Sequence, residues 1–317
     1  MHAAAINLRG GIAHRAVNLR GQSIIEYVLI IAIIGLVIVF AGPGVAGAIR
    51  NQFNLVGNTV NNGTTGGVEG GASGGGSTGA DSATVQAAIA KDAKDWTLGE
   101  QKAVAEDIAA KGEASPVYAK AKAAMDAGTK FSVKLTNGKT LEYRIVGINH
   151  DDLADGSGKA GLTFEATNNV LGYQRMNSTD TNVGGWEKSE LRGRLNSGDL
   201  WALLPAEIQS KTKAVTKMTD NQGGGKAGTP STTTDKVFLL SSTEVWGNLG
   251  GDGVQYEYYK SKGVTTSNYS GASSSLNHWT RSVDPSYSTA FRLVFSNGAW
   301  YSNYATITSC VFPAFSF

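Results

Sequence analysis

Hydrophobic residues are distributed unevenly along the chain, and the longest apolar run lies near its start. No residue between positions 28 and 48 is charged, and about 20 apolar residues suffice to span a bilayer as a helix. The Gly-Pro-Gly sequence at 42–44 is expected to break that helix near its outer end. The leader at 1–20 has three arginines and no acid, so the positive-inside rule keeps it cytoplasmic.

The next two segments differ sharply in composition. Residues 57–80 are almost wholly Gly, Thr, Asn and Ser, which predicts a flexible linker that cannot bury a core. Residues 81–128 are Ala-rich with apolar positions at helical spacing, which predicts a helical stalk or a small helical subdomain. Thr97 followed by Glu100 matches a capping box, and Gly128 is suited to end the last helix.

Beyond residue 129 the pattern changes to short strands separated by turns. Phe131 to Leu135 alternates apolar and polar, and the Asn-Gly pair at 137–138 predicts a hairpin with the strand that follows. After this hairpin, predicted helices alternate with predicted strands. The fold class expected of 129–317 is α+β with a mixed or antiparallel sheet.

Composition excludes some classes of function. The net charge of +2 is too small to favour nucleic-acid binding by bulk electrostatics. The chain has one cysteine, Cys310, so it has no intrachain disulfide, and the simplest role for that residue is a small buried hydrophobe.

An acid lies at the start of the apolar run, in the heptapeptide Gly-Gln-Ser-Ile-Ile-Glu-Tyr at 21–27. A carboxylate inside a bilayer costs several kcal/mol and is therefore usually functional. This heptapeptide resembles the processing site of Flp-type (tight-adherence, class IVb) prepilins. The resemblance implies that a prepilin peptidase cuts between Gly21 and Gln22, leaving 1–21 as the leader and 22–56 as the transmembrane and assembly helix.

The resemblance also gives Glu26 a role in assembly. Cleavage creates an α-amine beside the membrane segment, and Glu26 of a neighbouring subunit can pair with it, so that two costly charges are neutralised together. Tyr27 is either part of this motif or an ordinary interfacial aromatic residue. The implied partners are other pilin subunits, the peptidase and the membrane. The implied location is the bacterial cytoplasmic membrane, followed by the cell surface or pilus.

Two alternatives to a prepilin remain open. The Ala-Gly-Ala sequence at 46–48 forms a secretory cleavage site beyond an apolar core, and the run can also serve as an uncleaved anchor. Either alternative would give a secreted or membrane-anchored binding protein that does not polymerise. Neither accounts for Glu26.

Four landmark segments of the C-terminal region share a pattern. They are W-E-K-S-E-L-R at 186–192 with L-N at 195–196, D-K-V-F-L-L-S at 235–241 with Glu244, W-T-R-S at 279–282, and V-F-P-A-F at 311–315. In this order they resemble domains with a C-type-lectin-like fold that are related to formylglycine-generating enzymes. The resemblance covers about 130–317 and implies a binding domain. The tryptophans and the F-L-L-S run are expected to be core residues.

The last part of the chain is crowded with Tyr, Asn, Ser and Thr. These residues give binding surfaces large contact area and adaptable hydrogen bonds, and lectin-like domains diversified by retroelements concentrate variable residues here. Polar loops that simply face water are the alternative. The residues expected to contact an extracellular protein or glycan are Tyr287, Trp300, Tyr301, Asn303 and Tyr304.

Catalysis, cofactors and metals are not indicated. One cysteine does not supply the reactive pair of the related enzymes, and the calcium-binding motifs of lectins are missing from the sequence. The segment at 151–156 only partly matches an EF-hand. His150 and His278 are too isolated in the sequence to indicate a triad or a zinc site. The expected function is a surface-filament subunit that displays an adhesion domain.

Overall fold

The computed structural model describes residues 82–317. Outside the described residues lie the predicted leader (1–21), apolar helix (22–56) and linker (57–80), and with them Gly21, Gln22, Glu26 and Tyr27. Within 82–317, no helix is both long and apolar enough to cross a bilayer.

The α-helices are short, and three of them precede the first strand. They are Ser82–Ala90 (α1), Leu98–Lys111 (α2), Tyr118–Ala127 (α3), Gly185–Lys188 (α4), Glu190–Asn196 (α5), Asp199–Leu203 (α6), Ala206–Lys211 (α7), Ser242–Trp246 (α8) and Glu257–Ser261 (α9). The capping box at Thr97 is confirmed, since its side chain accepts from Glu100 N and the Glu100 side chain accepts from Thr97 N. Gly128 ends α3 in the left-handed conformation, as predicted.

The strands form two five-stranded sheets and a separate hairpin. They are Lys130–Lys134 (β1), Thr140–Ile148 (β2), Leu162–Ala166 (β3), Tyr173–Gln174 (β4), Val215–Thr219 (β5), Ser231–Asp235 (β6), Val237–Phe238 (β7), His278–Val283 (β8), Ala290–Val294 (β9), Trp300–Tyr304 (β10), Ser309–Cys310 (β11) and Ala314–Ser316 (β12). The first sheet has the order β1-β2-β3-β12-β7, the second has β10-β9-β8-β11-β4, and β5 pairs with β6.

Strand pairing confirms the α+β class with a mixed sheet. All pairs are antiparallel except that of β11 with β8. The predicted hairpin is present, with Lys134 opposite Thr140 and Gly138 at a φ of 80°, a conformation that glycine adopts without strain. The C-terminal strand β12 lies inside the first sheet, between β3 and β7. The end of the chain is therefore held by strands that are distant in sequence.

The N-terminal helices share the hydrophobic core of the first sheet. Val104 and Ile108 of α2 are fully buried in the same cluster as Phe131, Tyr143 and Phe164. The ring centroids of Tyr143 and Phe164 are 5.5 Å apart in an edge-to-face arrangement, a geometry that favours aromatic pairs. The sequence did not decide whether these helices form a stalk or a small subdomain. In the structure they pack on the same hydrophobic core as the first sheet.

The landmark segments contact one another and are buried. Trp186 Nε1 donates to Asp235 Oδ2 at 3.1 Å, and Arg192 pairs with the other oxygen of Asp235 at 2.6 Å. Phe312 stacks on His278, with ring centroids 4.2 Å apart. The tryptophans and the F-L-L-S run are buried, as the sequence predicts. These segments thus form a connected scaffold and leave binding to other residues.

Candidate functional site

The five residues expected to contact a ligand line one groove of about 640 Å³. Trp300, Tyr301, Asn303 and Tyr304 belong to β10, the edge strand of the second sheet. Tyr287 lies in the loop between β8 and β9. The structure therefore brings together the residues that sequence composition singled out.

Four aromatic side chains around this groove are exposed to solvent. Tyr287, Trp300, Tyr301 and Tyr304 have 60%, 44%, 51% and 57% of their surface exposed. Aromatic side chains contribute most when they are buried, so several exposed ones around one groove mark a candidate interaction surface. These side chains are suited to contact with another molecule.

The strand register divides the predicted residues into two sets. Ser302 lies opposite Arg292 of β9, and alternate residues of a strand share a face. Trp300 and Tyr304 therefore lie on the face of Arg292, whereas Tyr301 and Asn303 lie on the other face. Tyr301 accordingly packs against Phe295, which belongs to the chain after β9, with ring centroids 4.8 Å apart.

A buried amide holds the loop that forms one wall of the groove. Asn182 is fully buried, and its Nδ2 donates to the carbonyls of Tyr287 and Ala290 at 2.7 and 2.8 Å. Its backbone N–H also donates to the Ser288 carbonyl. Because buried polar groups are costly unless they are paired, these bonds fix the position of Tyr287.

The groove is also lined by two charged residues that the sequence did not indicate, Asp284 and Arg292. The Asp284 carboxylate accepts from the Ser286 N–H at 2.9 Å and from the Ser302 hydroxyl. Arg292 is 8% exposed, its Nε has no hydrogen-bond partner, and its guanidinium carbon is 6.0 Å from the Trp300 ring centroid. One signal was available in the sequence, since Arg292 is the single charge in the apolar strand 290–294.

A second depression, of about 490 Å³, contains a buried charge cluster. Lys217 Nζ lies 2.5 Å from Asp151 Oδ1 and 2.7 Å from Glu244 Oε1, and Arg281 pairs with Glu244 at 2.8 Å. Two cations thus balance two carboxylates. Burial is the largest single effect on the pKa of Asp151 and raises it, but the charge of Lys217, that of His150 and the hydrogen bonds from Lys217 and Thr163 together lower this pKa to about 2.

The cluster gives a structural role to Asp151, the first residue of the partial EF-hand match. Both oxygens of Asp151 accept hydrogen bonds from Tyr256, one also pairs with Lys217, and the other accepts from Thr163. The carboxylate that would bind calcium is therefore occupied by the protein itself. In the described part of the chain, no group of three or more His, Cys, Asp or Glu is arranged to hold a metal ion.

Comparison with known families finds one similarity, in the C-terminal half. The model of a family described as a domain of unknown function (DUF6273) matches residues 160–317. This stretch contains the groove and all four landmark segments, while α1–α3 and the first hairpin precede it. Comparison with curated proteins found no match, and comparison with solved structures found none either.

Proposed function

We propose that the protein is a pilin-like subunit of a bacterial surface filament that displays a ligand-binding domain for adhesion. The heptapeptide at 21–27 supports processing by a prepilin peptidase, and the apolar run supports membrane residence before assembly into a filament. The domain at 129–317 supplies the binding function. Its proposed fold is C-type-lectin-like, on the resemblance of the four landmark segments, several of which contact one another.

The exposed aromatic groove carries this proposal. A rigid edge strand presents Trp300 and Tyr304, and a loop pinned by Asn182 presents Tyr287. Large aromatic side chains on a fixed backbone give contact area at low entropic cost, and such residues dominate binding energy at interfaces. The buried charges of the second depression pair with one another, which favours a binding rather than a catalytic protein.

A filament would make weak contacts effective. Many copies of the domain on one fibre raise the local concentration, so that overall avidity exceeds the affinity of a single groove. The composition of the Gly-rich segment at 57–80 predicts a linker, which would let neighbouring domains reach separate ligands.

The N-terminus of the exported protein tests the filament part of the proposal. N-terminal sequencing should find Gln22 as the first residue. A protein that begins at Ile49 would indicate a secretory signal, and an intact leader would indicate an anchor. Either result would replace the filament subunit by a binding protein that does not polymerise.

Alanine substitution tests the groove. A variant with Tyr287→Ala, Trp300→Ala and Tyr304→Ala should lose at least about tenfold in binding, because it removes three aromatic anchors. Beads coated with the full-length chain would be applied to immobilised glycoproteins and polysaccharides, and circular dichroism would verify folding.

A matched control removes exposed apolar side chains elsewhere, with Tyr173→Ala, Met218→Ala and Val254→Ala. This control should bind like the natural chain. Since Met218 and Val254 line the second depression, loss of binding in the control together with retention in the groove variant would reject the groove as the site.

A further inference from the structure

Arg292 is a buried cation whose guanidinium forms no direct contact with a carboxylate of residues 82–317. Arg144, Arg192, Arg194 and Arg281 each pair with a carboxylate, whereas Arg292 forms no ion pair with any residue in 82–317. Its side chain is nevertheless more than nine-tenths buried, and its Nε lacks a hydrogen-bond partner.

Two acids lie near Arg292, but their oxygens bond to other groups and not to the guanidinium. Asp252 lies beside Arg292 at Gly250, and its carboxylate accepts from the hydroxyls of Thr243 and Ser282. Asp284 accepts from Ser286 and Ser302. Taking a cation out of water without a partner is costly. An anion from outside the chain would remove that cost.

We propose that the groove binds a saccharide that carries a carboxylate group, and that Arg292 recognises this group. The inference rests on the proposed role of the groove as the ligand-binding site. A guanidinium presents a rigid fork of N–H donors that matches both oxygens of a carboxylate. The guanidinium carbon lies 6.0 Å from the centroid of the Trp300 ring, so one ligand can contact both side chains.

The remaining lining of the groove suits a sugar ring. Trp300 and Tyr304 share the Arg292 face of the sheet, and their rings offer flat apolar surfaces against which the C–H face of a sugar can pack. Each Asp284 oxygen accepts one hydrogen bond from the protein and has capacity for another, which a sugar hydroxyl can donate. The cation thus matches the carboxylate of the sugar, the acceptor matches its hydroxyls, and the aromatic faces match its apolar ring face.

An acidic peptide fits the groove less well. A run of Asp or Glu would place additional carboxylates against Asp284, and like charges at close range repel. A monosaccharide acid brings a single carboxylate, which Arg292 can pair with, and therefore adds less of this repulsion. The charge arrangement therefore favours the sugar acid.

The experiment measures the preference of the groove for a carboxylate. The full-length chain in a non-ionic detergent would be titrated with glucuronate, N-acetylneuraminate and glucose, and with the peptide Glu-Glu-Glu, by calorimetry or ligand-observed NMR. At least one sugar acid should bind roughly 10- to 100-fold more tightly than glucose, the range of one charge-assisted interaction.

Three variants separate the anion contact from the rest of the groove. Arg292→Gln should abolish the preference for the sugar acid. Trp300→Ala, at an exposed position, should weaken all sugars together and preserve the preference. Arg194→Gln removes an arginine that pairs with Asp199 outside the groove and should change neither. Because Trp300 is exposed, its variant remains informative if Arg292→Gln fails to fold.

Four outcomes would overturn the inference: equal binding of glucuronate, N-acetylneuraminate and glucose, an unchanged preference in folded Arg292→Gln, tighter binding of Glu-Glu-Glu than of the sugar acids, or no sugar-acid binding below roughly 10 mM. The inference can fail while the proposed function stands. If the aromatic triple variant loses binding to glycoproteins while Arg292→Gln retains its preference, the groove remains the site and only the role of Arg292 is wrong. If the triple variant keeps its binding to glycoproteins, the proposed function fails.

Discussion

Arg281 and Arg292 are both buried, yet their surroundings differ. Arg281 donates to Thr219, to the carbonyl of Leu239 and to both oxygens of Glu244. Such a network is expensive to disrupt, because removing one partner leaves the other charge buried and unpaired. Arg281 therefore stabilises the fold, while Arg292, which has no such partners, is the residue that we propose for ligand binding.

His278 provides a prediction about pH. Burial lowers the pKa of this imidazole from 6.5 to about 4, so between these values the unfolded chain binds a proton that the folded chain does not. Its contribution to stability is complete above pH 6.5 and is lost as the pH falls towards 4, by about 3 kcal/mol in total.

The test compares the natural chain with His278→Phe, which retains an aromatic ring against Phe312. Urea unfolding between pH 4.5 and 7.5 should show that the natural chain loses more stability on acidification than the variant does. The difference between the two proteins isolates His278 from the buried acids Glu165 and Asp252, whose pKa values are raised by burial. Parallel pH profiles would show that His278 does not titrate as described.

At the scale of elements, helix α2 packs directly on the segment that leads into β3. A Cβ at Gly161 would lie 1.8 Å from the carbonyl oxygen of Ala105, within the helix. Backbone atoms cannot yield by that much without moving the helix. The close approach explains how α2 reaches the aromatic cluster of the first sheet.

Gly161→Ala should therefore destabilise the protein by about 3 kcal/mol or more, since overpacking costs 1–3 kcal/mol even where side chains can adjust. The matched control is Gly193→Ala, where an added Cβ meets nothing within 4 Å and the residue lies inside α5. In a helix interior this change should stabilise by up to about 1 kcal/mol. Equal unfolding free energies for both variants would contradict the close contact.

At the scale of the molecule, the described residues share one hydrophobic core. The cluster runs from Val85 in α1 to Phe317 at the C-terminus, and β12 lies between β3 and β7, two strands that are distant in sequence. Elements that share a core are expected to unfold together. The helices before the first hairpin should therefore not melt as a separate unit.

Ile108→Ala tests this cooperativity. Ile108 is fully buried in α2, so the variant should lose about 2–5 kcal/mol. Helix circular dichroism and the fluorescence of the buried tryptophans should shift by the same amount, because both report one transition. Ile307→Ala, exposed at 43%, should change stability by less than about 0.5 kcal/mol. A shift in the helix signal alone would instead support an independent stalk.

The sequence by itself determined the local features of the described region. The capping box at Thr97, the glycine end of α3, the Asn-Gly hairpin and the burial of the landmark tryptophans depend on short-range propensity or on strong hydrophobicity, which adjacent residues encode. It also supplied the hypothesis for the N-terminal segment and the five aromatic and polar residues of the groove.

Only the tertiary structure decided how that groove is built. Asn182 reaches Tyr287 across 105 positions of sequence, Ser302 meets Asp284 across 18, and Arg292 lies on the face of Trp300 because of strand register. A single sequence does not encode which distant strands pair, since hydrophobic patterning alone fits several registers. The sequence therefore named the candidate residues, and the fold showed that Asp284 and Arg292 lie among them.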